Sequence, residues 1–88
     1  MQLKMKVQVG AVTIDTIPRL AQVLAGYYEQ PPVVERSSPG EINIALQMQY
    51  EPQDGRAHFM EQGFVAGLVV GFLTGHGVEV VGRSVECI

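Results

Sequence analysis

The sequence predicts a small α+β domain in which a four-stranded antiparallel sheet is covered on one face by two helices. Two stretches alternate between apolar and polar residues, as half-buried strands do. Two others place apolar residues at helical spacing, and residues typical of turns separate the segments. The chain has 88 residues, enough for one compact domain spanning residues 1–88.

Residues 2–9 predict the first strand, because Leu3, Met5, Val7 and Val9 alternate with polar residues. The apolar parity then changes across Gly10-Ala11 and continues at Val12 and Ile14. A one-residue slip turns a strand over, so this change indicates a bulge or a break. We favour a bulge within one long strand.

The first helix is predicted over residues 15–28. Asp15 or Thr16 can cap its start, and apolar residues at helical spacing continue to Tyr28. Pro31-Pro32 prevents further helix.

Two strands should follow. Val33 to Arg36 is a short strand candidate, and residues 37–40 have the composition of a turn. Residues 41–50 then alternate without interruption. Such long alternation in the first and third strands predicts that these two are central in the sheet.

The second helix dominates the second half of the chain. Asp54 can cap its start, and Gly75 or Gly77 can supply a left-handed stop. No charged residue lies between Glu61 and His76. A helix that is apolar nearly all round is expected to be buried on more than one side.

Four glycines mark one face of this helix: Gly63, Gly67, Gly71 and Gly75. A spacing of four residues advances only about 40° around a helix, so they share a face. Together they weaken the helix by about 3 kcal/mol relative to alanine. We therefore expect close packing or self-association along this groove. The first helix could fill it through Ala21, Ala25 or Leu24, and a ligand could also do so. We favour a second copy of the chain.

The fourth strand is predicted over residues 78–88, with a second change of parity at Val81-Gly82. The resulting order, β-α-β-β-α-β, is the ferredoxin-like arrangement. A fold of this kind does not define a function.

Composition and spacing argue against several functions. The net charge of −3 disfavours nucleic-acid binding. The apolar run in the second helix is shorter than the roughly 20 residues that span a membrane. His58, His76 and Cys87 match no zinc spacing, and we predict no metal, cofactor or catalytic residue. A lone cysteine is typical of a reducing compartment, which predicts a cytoplasmic protein.

The function predicted from these observations is a small non-enzymatic protein-interaction module that self-associates. It would act as a regulator, adaptor or phage-type inhibitor that occupies the surface of a larger protein partner. The alternative is a small-ligand-binding protein or an oligomeric enzyme, with a site near the second helix at Arg56, His58 or Glu61. The predicted partner-binding residues are Tyr27, Tyr28, Glu35, Glu41, Asn43, Gln47 and Gln49.

Overall fold

A computed structural model describes residues 2–47 and 55–87 and confirms the predicted order of elements. The predicted cap Asp54, the end of the predicted third strand and the candidate contact Gln49 lie outside the described residues. The elements are β1 (Gln2–Val9), α1 (Thr16–Ala25), β2 (Val33–Ser38), β3 (Glu41–Gln47), α2 (Gly55–Gly75) and β4 (Val80–Cys87).

The four strands form one antiparallel sheet in the order β2-β3-β1-β4. This confirms that the first and third strands are central. β1 and β3 pair from Gln2 opposite Gln47 to Gln8 opposite Glu41. Because paired residues point to the same side of a sheet, this register separates a core face from a polar face.

The core lies between the sheet and both helices. Leu20 and Leu24 of α1 are fully buried, as are Val69 and Leu73 of α2. They belong to one cluster with the buried strand residues Leu3, Met5, Val7, Val9, Ile42, Ile44 and Leu46. Since one cluster joins both helices to one face of the sheet, the predicted two-layer architecture is confirmed. We call the other side of the sheet the open sheet face.

The first helix is shorter than its apolar spacing predicted. It ends at Ala25, and Gly26 and Tyr27 continue with the hydrogen bonds of a tight turn, to Val23 and Leu24 respectively. Tyr28 is nevertheless only 7% exposed. It therefore reaches the core from the turn after the helix, which explains why its position fitted a helical pattern.

The favoured expectation, a bulge within one long first strand, is wrong. The alternative, a break after the first strand, is confirmed. β1 ends at Val9, and the backbone N–H of Gly10 donates to the carbonyl of Glu79 at 2.9 Å. Ile14, which the long strand would have contained, is 98% exposed. The second parity change is confirmed, because Val9 pairs with Val80 while the preceding residue of β1 pairs with Gly82.

Glycine ends α2 as predicted, at the second of the two candidate positions. Gly77 has φ of +77°, the left-handed conformation that glycine adopts without strain. The N–H of Val78 donates to the carbonyl of Leu73, and that of Gly77 donates to Thr74. This pair of bonds is the Schellman motif, which satisfies carbonyls left free at a helix end.

Candidate interaction surfaces

Between Gln62 and Gly75, the side of α2 that points away from the sheet has no charged side chain. We call it the α2 outward face. Its exposed residues are Gly63, Phe64, Gly67, Gly71, Thr74 and Gly75. An ideal Cβ placed on any of these four glycines would meet no heavy atom within 4 Å, apart from its own helix, among the described residues. Within the described part of the chain, the glycine groove is therefore open.

The helix forms because its other side is anchored in the core. Val65, Val69 and Leu73 recur every fourth residue and are completely buried, and Ala66 is 6% exposed. Packing of such a stripe supplies most of a helix's stability in a protein. It offsets the low helix propensity of the glycines without requiring any contact on their side.

Helix α1 does not fill the groove. Leu24 points into the core and is fully buried, whereas Ala25 is exposed. No atom of α1 comes within 4 Å of a Cβ built on the glycines. Of the neighbours considered from the sequence, a second copy and a ligand remain as candidates.

Two aromatic rings lie beside the glycines. Tyr27 and Phe64 meet edge to face, with ring centroids 5.5 Å apart and planes at 69°. Tyr27 is 53% exposed and Phe64 47%. Phe64 is three residues before Gly67, so its ring flanks the groove. Phe64 is not among the predicted contacts, although its place on the helical wheel, on the side of the glycines, indicates it.

Tyr28, predicted beside Tyr27 as a partner contact, has a different environment. Its hydroxyl donates a hydrogen bond to Glu61 Oε1 at 2.8 Å. The ring belongs to the core cluster, so little of it is available to a partner. The bond links the turn after α1 to the first half of α2.

The other predicted partner contacts within the described residues, which are Glu35, Glu41, Asn43 and Gln47, lie on the open sheet face, on the far side of the domain from α2. Glu35 is opposite Asn43, and Glu41 and Gln47 occupy the two ends of β3. The Ser37 hydroxyl donates to Glu41 Oε1 at 3.0 Å. The structure thus brings these side chains onto one surface, separate from Tyr27.

A concavity of about 490 Å³ lies on the open sheet face, lined by residues of all four strands. Asn43 is half-buried within it, and its Oδ1 has no hydrogen-bond partner among the described residues. A second concavity, of about 550 Å³, lies between α2 and β4 beside Val70 and Val81. Neither is lined by Glu61, and the side chains of Arg56 and His58 lie outside the described part of the structure.

The end of α2 places His76 against its own helix. The imidazole stacks on Phe72 with centroids 4.2 Å apart, and Nδ1 lies 3.0 Å from the Phe72 carbonyl oxygen. Within the described residues, no three histidine, cysteine or acidic side chains are grouped as metal ligands would be.

Comparison with known proteins adds no functional assignment. No known family model matches the chain, and no curated protein matches it. In the described part of the chain, none of the helices has both the length and the hydrophobicity needed to cross a bilayer. The class of protein is therefore defined by the fold alone, a ferredoxin-like α+β sandwich.

Proposed function

We propose that this protein is a small non-enzymatic interaction domain that self-associates through the α2 outward face. The observation that carries the proposal is an exposed, uncharged helix surface containing four glycines with open space beside each one. In this proposal the assembled domain acts by occupying the surface of a protein partner, as a regulator, adaptor or inhibitor. The lone Cys87 fits a cytoplasmic location for it.

The glycines favour a backbone as the neighbour. Without side chains they allow a second helix to approach more closely than the usual 8–10 Å between helix axes. In a two-fold dimer the same patch is used on both subunits. The glycine groove of one subunit would then meet that of the other. Contacts of this kind would add to the stability that the buried side of α2 already supplies.

The aromatic pair beside the groove supports the choice of the α2 outward face as an interaction surface. Tyr27 and Phe64 are half-exposed, and their rings are in edge-to-face contact. Tyrosine is enriched among residues that contribute strongly to binding, and buried aromatic rings supply much of an interface's energy. We place the contact with a protein partner at this pair. The partner contacts predicted at Glu35, Glu41, Asn43 and Gln47 on the open sheet face stay a prediction.

Substitution of Gly67 tests self-association directly. Gly67→Leu is expected to abolish the dimer, because its side chain would separate two closely packed helices. The single chain should tolerate it, since the space is open and leucine has the higher helix propensity. Sedimentation equilibrium would report mass, and urea unfolding at low protein concentration would report the free energy of unfolding.

Gly67→Ala makes the test sharper because its two effects have opposite signs. The free energy of unfolding of the single chain should rise by up to about 1 kcal/mol, while the dimer should weaken. Gln22→Ala, on the exposed side of α1, is the matched control and should leave the mass unchanged. A wild-type chain that stays monomeric at high concentration, or a Gly67→Leu dimer of wild-type affinity, would refute the proposal.

A further inference from the structure

The concavity on the open sheet face has the size of a small-molecule site. Its volume of about 490 Å³ falls within the roughly 300–1,000 Å³ of known ligand pockets. It is formed by side chains on regular strands rather than on loops. Its polar groups are therefore held at fixed spacings by the sheet register.

The side-chain oxygen of Asn43 is a hydrogen-bond acceptor that no donor reaches among the described residues. Its Oδ1 is buried and unpaired among the described residues, although buried polar atoms in folded proteins nearly always have a partner. The residues opposite Asn43 are Lys6 on β1 and Glu35 on β2. A ligand N–H group at this point would complete the hydrogen bonding.

The charges around Asn43 are arranged with cations in the centre and anions at the sides. Lys4 and Lys6 are two residues apart on the central strand β1. They therefore share this face, with their Cα atoms about 7 Å apart. Neither forms a salt bridge within the described residues. Glu35 lies on β2 and Glu86 on β4, the two outer strands.

This pattern selects for a ligand with both charges. A carboxylate can lie over Lys4 and Lys6, but Glu35 and Glu86 would repel a ligand that carries negative charge only. The adjacent pair of Ala45 and Val33, the latter 53% exposed, offers an apolar surface for a short side chain.

We infer that the open sheet face binds a small zwitterion, an amino acid or a compound with the same head group. Its carboxylate lies over Lys4 and Lys6, and its ammonium group donates to Asn43 Oδ1 and to Glu35. This site goes beyond the proposed function and lies on the opposite side of the domain from α2.

The test is a titration of the ¹⁵N-labelled full chain followed by amide chemical shifts. The probes are free L-alanine and L-valine, each compared with its amide, which lacks the carboxylate, and with its deaminated acid. Inorganic phosphate is the fourth kind of probe, after the amino acids, their amides and their deaminated acids. We expect saturable shifts in β1 and β3 with the amino acids, and affinity about tenfold or more weaker when either charge is absent.

Variants assign the contacts. Asn43→Ala and Lys6→Gln should each weaken binding of the amino acid about tenfold. Asn43→Ala should leave the melting temperature no lower, because the buried oxygen has no hydrogen bond to lose. Arg19→Gln, an exposed cation on α1, is the control and should bind as the wild type does.

Four results would overturn the inference. Binding of the deaminated acid or phosphate as tight as that of the amino acid would mean a simple anion site. Shifts confined to α2 would place the ligand elsewhere. Concentration-dependent shifts in β1 and β3 without a probe would show that a protein surface covers the face. The last is no saturable shift with any probe. Repeating the titration with Gly67→Leu keeps these outcomes separate from self-association.

Discussion

The two helices cover the same face of the sheet but present different surfaces to solvent. Helix α1, ten residues long, buries Leu20 and Leu24 and exposes Arg19 and Gln22. Its apolar residues meet the core and its polar residues meet water, as expected for a surface helix of a globular protein.

Helix α2 packs against the core as α1 does, but the residues that it exposes to solvent are of a different kind. Val69 and Leu73 are buried as completely as the leucines of α1. Its exposed side has glycines and the ring of Phe64 where α1 has charged and amide groups. Folding alone accounts for α1 and for the buried half of α2. The outward half of α2 has no such role in folding, and the proposed self-association would give it one.

The largest expected effect separates the two sides of α2. Val69→Asp should destabilise the fold by more than about 4 kcal/mol, because it places an unpaired charge in the core. Gly71→Asp, two residues further on, should change the unfolding free energy of the single chain by less than about 0.5 kcal/mol. Urea unfolding followed by circular dichroism at low protein concentration measures both.

The same pair of variants also separates folding from association. Gly71→Asp should remove the proposed dimer, because like charges would face each other across its two-fold axis. It is also the suitable variant for excluding membrane association by liposome co-sedimentation, since a charge at Val69 would unfold the chain. Equal loss of stability in both variants would contradict the contrast between the two sides.

A smaller effect is expected at the hydrogen bond that joins the two halves of the chain. Tyr28→Phe should lower the free energy of unfolding by about 1–2 kcal/mol, because it leaves the Glu61 carboxylate without its donor. Glu61→Gln keeps an acceptor for the Tyr28 hydroxyl and should lose less. Thermal melts of the wild type and the two variants measure the difference. An unchanged melting temperature in Tyr28→Phe would show that the hydrogen bond contributes nothing to stability.

The sequence predicted the features of the fold that depend on period and parity. Strict alternation identified β1 and β3 and placed them in the centre of the sheet, since a strand with one buried face must alternate. The parity change at Val81-Gly82 marked a true irregularity of β4. The same reasoning at Gly10 could not decide between a bulge and a break, because the choice depends on the hydrogen bond to Glu79.

Contacts between distant segments could not be predicted. The spacing of Gly63 and Gly67 placed them on one helix face, but only the folded chain shows that α1 leaves that face open. Tyr28 followed the helical period and yet packs from a turn. Asn43 was recognisable as polar and strand-borne, but its unpaired oxygen depends on the register of three neighbouring strands.

The smallest expected effect concerns the start of α1, the charged counterpart of the uncharged α2 surface. The Thr13 hydroxyl donates to Asp15 Oδ1 at 2.6 Å, and Arg19 Nε lies 3.2 Å from Asp15 Oδ2. The hydrogen bond from Thr13, followed by a backbone hydrogen bond and the charge of Arg19, lowers the pKa of the Asp15 carboxyl. Asp15 holds the N-cap position, but its side chain makes no capping bond.

A lowered pKa in the folded state means that the ionised form is favoured by folding. Its contribution to stability is present above the unfolded pKa of about 3.9 and is lost as the pH falls through the lower folded value. Asp15→Asn should therefore reduce the fall in melting temperature between neutral pH and pH values below about 3.9. Because the pair is exposed, the difference should be small and should decrease further in high salt. Glu29→Gln is the control, because it removes an equal charge that has no hydrogen bond or salt bridge among the described residues. An equal change in the pH dependence of the melting temperature in both variants would show that net charge, and not the contacts of Asp15, is responsible.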